Sequence, residues 1–324
     1  MITELHATTT EDIEEALLQE EAARGSSRVL TLIIDTTSEH AEAALEAAHG
    51  ASRDHPCRIV CVITDEAGRH SDEAPTDSSD CTDNCGYLDA QIRVGHDAGA
   101  GETIVLMPHG QAATHTDTLV VPFLLPDVPV VVWWPANCPK KPSASPLGSL
   151  ARVRITNTPA LENPAKALLD LAPQHAPGDI DLAWTRITLW RAIVASSLDN
   201  AARARTIEHV EVAGRSDNAS VLLMAAWLRR YLGVPVTHVE DNDAVGIGHI
   251  SARIGEANIV IRRHDADRVT VERPGSNEPQ IVTMERREPV TTMNEELRRL
   301  GPDLVYQEVL ASVLNEPLNS TDGE

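Results

Sequence analysis

Two nearly continuous apolar runs, residues 28–35 (RVLTLIID) and 57–64 (CRIVCVIT), flank a stretch rich in alanine and glutamate, 38–52. Unbroken runs of branched residues read as strands covered on both faces, the pattern of a parallel sheet. The intervening stretch opens on Ser38, a residue type that caps helices. Strand, helix and strand in that order predict a parallel βαβ unit. Upstream, Thr9 and Thr10 are placed to cap a helix reaching about residue 23, with Ile13, Leu17 and Leu18 on its apolar face. Downstream, 87–94 and 103–107 read as strands, 111–124 as a helix interrupted or ended near Pro122, and 128–134 as another two-sided strand.

The segment 172–178 (APQHAPG) is the best boundary. Beyond it Asp179 or Asp181 is placed to cap a helix over 182–198, where Ala183, Ile187, Trp190, Val194 and Leu198 form one stripe at helical spacing. A strand at 206–212 precedes a helix begun by Ser216 or Asp217 and ended at Gly233. A strand at 234–239 follows. Four short strands at 247–254, 258–263, 268–272 and 280–285 are separated by turn residues and read as an antiparallel meander. Helices near 292–300 and 302–314 close the pattern. The expectation is α/β: two α/β domains, 1–175 with a mostly parallel sheet and 176–324 with an antiparallel portion. A chain of 324 residues fits two domains.

Composition narrows the function. The net charge is −22, which repels phosphate backbones and anionic lipid, so no nucleic acid and no membrane are expected as partners. The N-terminus lacks a basic and an apolar segment of the secretory kind, which predicts a cytoplasmic protein. The longest apolar tract, 118–136, carries Asp127 and prolines 122, 126, 129 and 135, against a lipid-facing helix.

Aromatics make up only 3% of the chain, yet 122–135 (PFLLPDVPVVVWWP) holds the single Phe and two adjacent Trp. On a strand the rings of Trp133 and Trp134 point to opposite faces. Pro135 ends that strand, so one ring is placed to reach the crevice at its carboxyl end, where open α/β sheets bind ligands; burial of both under helices is the plainer alternative. Trp184 lies off the apolar stripe of its helix and Arg186 on its flank, and both are residue types enriched in interface hot spots. Cys57 and Cys61 sit in a strand and are expected as core thiols. Cys81 and Cys85 lie in an acidic loop, 65–85, where a redox or metal pair competes with thiols of no role. The glycines of 95–101 (GHDAGAG) match no phosphate-loop pattern, and a strand follows them, so a turn is expected. Asp89, Arg93, His96, Asp97 and Glu102 surround one strand end and raise an acid–base cluster against a solvated turn. No metal-ligand spacing, nucleophile elbow or cofactor fingerprint is found.

The strings 88–102 (LDAQIRVGHDAGAGE), 124–135 (LLPDVPVVVWWP) and 177–191 (PGDIDLAWTRITLWR), with 28–33, 55–59 and 225–228, resemble in order the OpcA family of glucose-6-phosphate dehydrogenase assembly proteins. The resemblance implies a protein that is not an enzyme and needs no cofactor. Its partner would be glucose-6-phosphate dehydrogenase, whose active oligomer it promotes, supporting the oxidative pentose phosphate pathway and NADPH supply. It offers no catalytic residues to carry over, and no family cysteine maps onto Cys81 or Cys85. Trp133, Trp134, Trp184 and Arg186 are then expected to bind the partner. The alternative is an enzyme binding a sugar phosphate or nucleotide in a crevice near Trp134.

Overall fold

The computed structural model describes residues 1–21, 28–64, 86–98, 101–204 and 206–315. The chain forms two compact units: Met1–Thr156 with Gly178–Ile180 and Pro289–Pro302, and Asn157–Pro177 with Asp181–Glu288 and Asp303–Glu324.

The first unit is built on an eight-stranded sheet. Its strands are β1 (Ile2–Leu5), β2 (Leu30–Thr36), β3 (Cys57–Ile63), β4 (Tyr87–Val94), β5 (Glu102–His109), β6 (Val130–Trp133), β7 (Val153–Thr156) and β8 (Asp179–Asp181). Their order across the sheet is β1-β4-β5-β3-β2-β6-β7-β8. The pairs β2–β3, β2–β6, β3–β5 and β6–β7 are parallel, and β4 joins β5 antiparallel. The apolar runs seen in the sequence are thus the sheet's centre, where no face meets water.

Strand alternation sorts the side chains. Ile33, Val60, Val62, Ile104, Leu106, Val132 and Trp134 face one core cluster, shared with Ile13 and Leu17 of α1 (Thr10–Glu21), Val120 of α3 (Thr116–Val120) and Leu147 of α4 (Pro146–Leu150). The opposite face meets α2 (Ser38–Ser52), whose His49 Nε2 lies 2.9 Å from Thr103 Oγ1 on β5. α9 (Pro289–Arg298) packs on α2, and Asn294 Nδ2 donates to Asp54 Oδ2 at 2.9 Å. A Cβ on Gly50 would stand 2.8 Å from Val290, so glycine sets how closely α2 and α9 approach.

Local chemistry fixes the ends of these elements. Asp12 N donates to Thr9 Oγ1 at 3.2 Å while Thr9 N donates to Asp12 Oδ2 at 3.1 Å, a reciprocal cap on α1. The segment 111–124, expected as a helix interrupted or ended near Pro122, forms α3 between two single turns. Pro122 supplies no amide hydrogen to continue it. Of the turn expected at 95–101, the described part Gly95–Ala98 is a single tight turn; a Cβ on Gly101 would fall 2.0 Å from the carbonyl oxygen of Cys57.

The second unit carries a six-stranded sheet, in which a parallel pair at one edge is continued by four antiparallel strands. β9 (His209–Gly214) and β10 (Val236–Glu240) are parallel; β11 (Ile247–Ile254), β12 (Ala257–Arg263), β13 (Arg268–Glu272) and β14 (Gln280–Thr283) form the expected meander. The helices are α5 (Pro164–Leu171), α6 (Leu182–Arg186), α7 (Thr188–Arg203), α8 (Ala219–Leu232) and α10 (Leu304–Asn315). The helix expected over 182–198 is therefore two, parted at Ile187, whose φ of −91° and ψ of 5° leave the helical region. Asn218, not Ser216 or Asp217, caps α8, accepting from the amides of Ser220 and Val221. Asp217 is held instead by Arg215, whose Nε donates to it at 2.9 Å. Gly233 ends α8 in the left-handed region at φ 68°.

Cys57 and Cys61 are buried free thiols on β3, and burial pushes both pKa values up to about 12. Thiolate is the reactive form. Site-resolved alkylation of the native protein at pH 8 is therefore expected to leave both unmodified long after Cys138, which is only partly buried, has reacted. Labelling of Cys57 or Cys61 at the rate of Cys138 would mean that β3 opens readily.

Candidate functional site

β2 is the point where the sheet's winding reverses. β3 and β5 lie on one side of it, β6 and β7 on the other. Open α/β sheets bind ligands outside the carboxyl ends of the strands at such a point. The residues placed there are Asp35 and Thr36 on β2, with Trp133 and Trp134 at the end of β6, since Ile34 pairs with Trp133.

The two indoles do point to opposite faces. Trp134 lies in the core cluster, and its Nε1 donates to Asp35 Oδ2 at 2.8 Å. Its backbone amide donates to Ile155 O at 3.0 Å, so the strand geometry continues one residue past the β6 bounds. Trp133 shares the α2 face with Ile34 and Thr36. Both rings are buried, at 3% and 1% exposure for Trp133 and Trp134, so neither presents a free surface to a partner. Among the described residues, neither Trp133 Nε1 nor Thr36 Oγ1 has a hydrogen-bond partner, and Thr36 is 1% exposed.

In the second unit Asp181 caps α6 by accepting from Ala183 N at 2.8 Å, and also accepts from Thr158 N at 3.0 Å and Thr158 Oγ1 at 2.8 Å. The cap fixes Trp184 one turn in. That indole is 1% exposed, donates to Asp303 Oδ2 at 2.9 Å, and lies under the Arg191 guanidinium, 3.6 Å from the ring centroid. Asp303 Oδ1 also accepts from Tyr306 N at 2.9 Å, which caps α10, and the Tyr306 and Trp184 rings lie 5.7 Å apart. Trp184 is thus the pin between α6 and α10 rather than a surface anchor. Arg186 alone of the four expected contacts is exposed. Crowding around its guanidinium lowers its pKa, opposed by Asp181 and Glu288, yet the group stays charged at any physiological pH. Exposure is therefore the property that matters for a partner.

Among the described residues around Gly95, the side chains of Asp89, Arg93 and Glu102 have separate partners. Asp89 accepts from the amide of Ala7 and lies 3.4 Å from His109. Arg93 pairs with Glu42 at 2.7 Å. Glu102, buried, lies between Arg28 and Arg58. The side chains of His96 and Asp97, and all of 65–85 with Cys81 and Cys85, lie outside the described residues. Among the described residues no three His, Cys, Asp or Glu side chains could jointly hold a metal ion, and no helix is long and apolar enough to cross a membrane.

One exposed surface escaped the sequence reading. Trp227 is half-buried, and Tyr231, four residues on along α8, is 48% exposed with its ring 6.1 Å away. The Arg230 guanidinium lies 5.9 Å from the Tyr231 ring, and the Tyr231 hydroxyl donates to Glu308 Oε2 of α10 at 3.3 Å. Leu304 is exposed on α10. The signal was present: two aromatics at i and i+4 with two arginines in the last turn of a helix.

Comparison with known proteins adds two kinds of likeness. Among solved structures the chain is similar to levoglucosan dehydrogenase in complex with NADH and L-sorbose, at 11% identity and a TM-score of 0.42, covering 91% of this chain and 92% of that one. It is similar to a Gfo/Idh/MocA family oxidoreductase from Vibrio cholerae at 12% identity and a TM-score of 0.37, covering 88% and 95%. Likeness at that level bears on neither activity nor cofactor. No curated protein sequence matches the chain. Family models do: residues 48–173 match the glucose-6-phosphate dehydrogenase subunit N-terminal domain, and residues 177–310 the C-terminal domain of the same subunit. The two matches run in order over most of the chain, which therefore belongs to the OpcA glucose-6-phosphate dehydrogenase family.

Proposed function

We propose that this protein is a non-catalytic assembly factor and activator of glucose-6-phosphate dehydrogenase, supporting NADPH supply through the oxidative pentose phosphate pathway in the cytoplasm. The carrying observation is the pair of family matches, one on each half of the chain. An activator works only through different affinities for two states of its target. Here the favoured state is the active oligomer of the dehydrogenase. The net charge of −22 fits a partner with a more basic contact face, and association is then expected to slow as salt rises.

The exposed Arg186 and the Trp227–Arg230–Tyr231 face of α8 are the contacts we propose, because Trp, Tyr and Arg dominate interface energetics. Trp133, Trp134 and Trp184 enter as supports beneath the surface. The test is co-elution with the dehydrogenase in size-exclusion chromatography, with NADPH production followed at fixed dehydrogenase and rising activator. A shared peak and a saturating rise in activity are expected; separate peaks with unchanged activity would refute the reading. Tyr231→Ala is expected to raise the half-saturating concentration by roughly 30-fold, the equivalent of about 2 kcal/mol at a hot spot. Its melting temperature should stay near that of the parent, since surface substitutions usually change stability by under about 0.5 kcal/mol. An unshifted activation curve for both Tyr231→Ala and Arg186→Ala would remove these faces from the contact.

A further inference from the structure

We propose that the carboxyl edge of the first unit's sheet, between β2 and β6, is a binding site for a small oxyanion, the phosphate or carboxylate group of a metabolite. The proposal stands on the first unit alone and does not depend on the dehydrogenase reading.

Three observations meet at this edge. The first is topological: β2 and β6 flank the point where the winding reverses. The second is a pair of unmet groups. Thr36 Oγ1 and Trp133 Nε1 are buried and have no partner among the described residues, although a buried polar atom left unpaired forfeits its hydrogen bonds to water. They are diagonal neighbours on one face, because Ile34 pairs with Trp133 and Thr36 is the next β2 residue on that side. That face is the one α2 covers, as the contact of His49 with Thr103 fixes. The third is the start of α2 itself, two residues beyond Thr36. Thr37, its N-cap, makes no side-chain bond to the first-turn amides, and its Oγ1 lies instead 3.0 Å from His40 Nδ1.

The chemistry of the three agrees. An indole N–H only donates, a hydroxyl donates or accepts, and a helix N-terminus presents amide donors and the positive end of its dipole. All favour an acceptor carrying negative charge. Ser38 and Glu39, in the first turn of α2, are exposed. Asp35, the nearest carboxylate on β2, lies on the other face with Trp134. Glu39, in the first turn, repels an anion, and Thr36 and Thr37 stand where a nucleotide-binding turn would need glycine. A small group of modest affinity fits this edge; a dinucleotide does not.

The test is isothermal titration of the full chain at constant ionic strength with inorganic phosphate, a hexose monophosphate and succinate. Binding in the millimolar range or tighter is expected for at least one. Phosphate or its ester binding without succinate assigns the ligand to phosphate compounds, and the reverse assigns it to carboxylates. Thr36→Val and Trp133→Phe are each expected to weaken that binding at least tenfold. Thr36→Val is also expected to melt no lower than the parent without ligand, because it removes an unmet hydroxyl at nearly constant shape, so its loss of binding cannot be misfolding. No heat with any of the three at tens of millimolar, or undiminished affinity in either variant, would overturn the proposal.

Discussion

Trp134→Ala is expected to lower the free energy of unfolding by about 3–5 kcal/mol. The indole is fully buried among Ile33, Phe123, Val132 and Leu147, so truncation opens a cavity that the sheet cannot collapse to fill. Asp35 also loses an indole donor held at 2.8 Å. Urea titration followed by circular dichroism is the measurement, with an unchanged slope and a markedly lower midpoint expected. Trp134→Phe keeps most of the volume and is expected to lose only about 1–3 kcal/mol, chiefly the hydrogen bond. An alanine variant with the parental midpoint would show that the ring is not a core element. The contrast with Tyr231→Ala matters for function. Loss of activation in Trp134→Ala should follow the folded fraction, whereas loss in Tyr231→Ala should appear at full folding.

Glu102→Gln is the second large effect, also about 3–5 kcal/mol, for a different physical reason. Glu102 accepts from Arg28 Nη2 and Arg58 Nε, and Arg58 donates further to the carbonyl of Phe123 at 3.3 Å. All three side chains are largely removed from water. Two largely buried cations share the Glu102 carboxylate, and the amide keeps its shape but not its charge. Because the site is shielded, the loss should persist at high salt, unlike a surface pair. Thermal denaturation at low and high ionic strength measures this; a destabilisation that vanishes in salt would place the triad at the surface.

Much of the fold was legible because local and global signals agree. The runs at 28–35 and 57–64 are too apolar for a half-exposed strand, and they form the sheet's centre. The meander was readable from turn residues at close spacing. What the sequence hides is nonlocal. β1 and β8 have only four and three residues and owe their place to the strands they join. No proline or glycine marks the break at Ile187. Asp217 is as good a capping residue as Asn218 until Arg215 claims it. For the site, sequence reasoning singled out the end of β6 and left open whether its indoles face a crevice or the core; the structure buries both. Rarity of tryptophan signalled specialised packing, and only the alternation of the strands shows that both indoles turn inward while Thr36 stays unmatched beside one of them.

The scattered membership of the first unit has a consequence for how it is made. Its body lies within 1–156, but β8 and α9 come from 178–180 and 289–302. A ribosome adding roughly 5–20 residues each second leaves about 7–30 s between emergence of Thr156 and of Pro302. During that interval the β7 edge passes through a period without its neighbour, and α2 waits uncovered, including the surface where Gly50 later meets Val290. Until Pro302 has emerged, the nascent chain carries α2 without the helix that packs on it. It also means that a fragment ending near residue 175 is a permanently arrested version of that state.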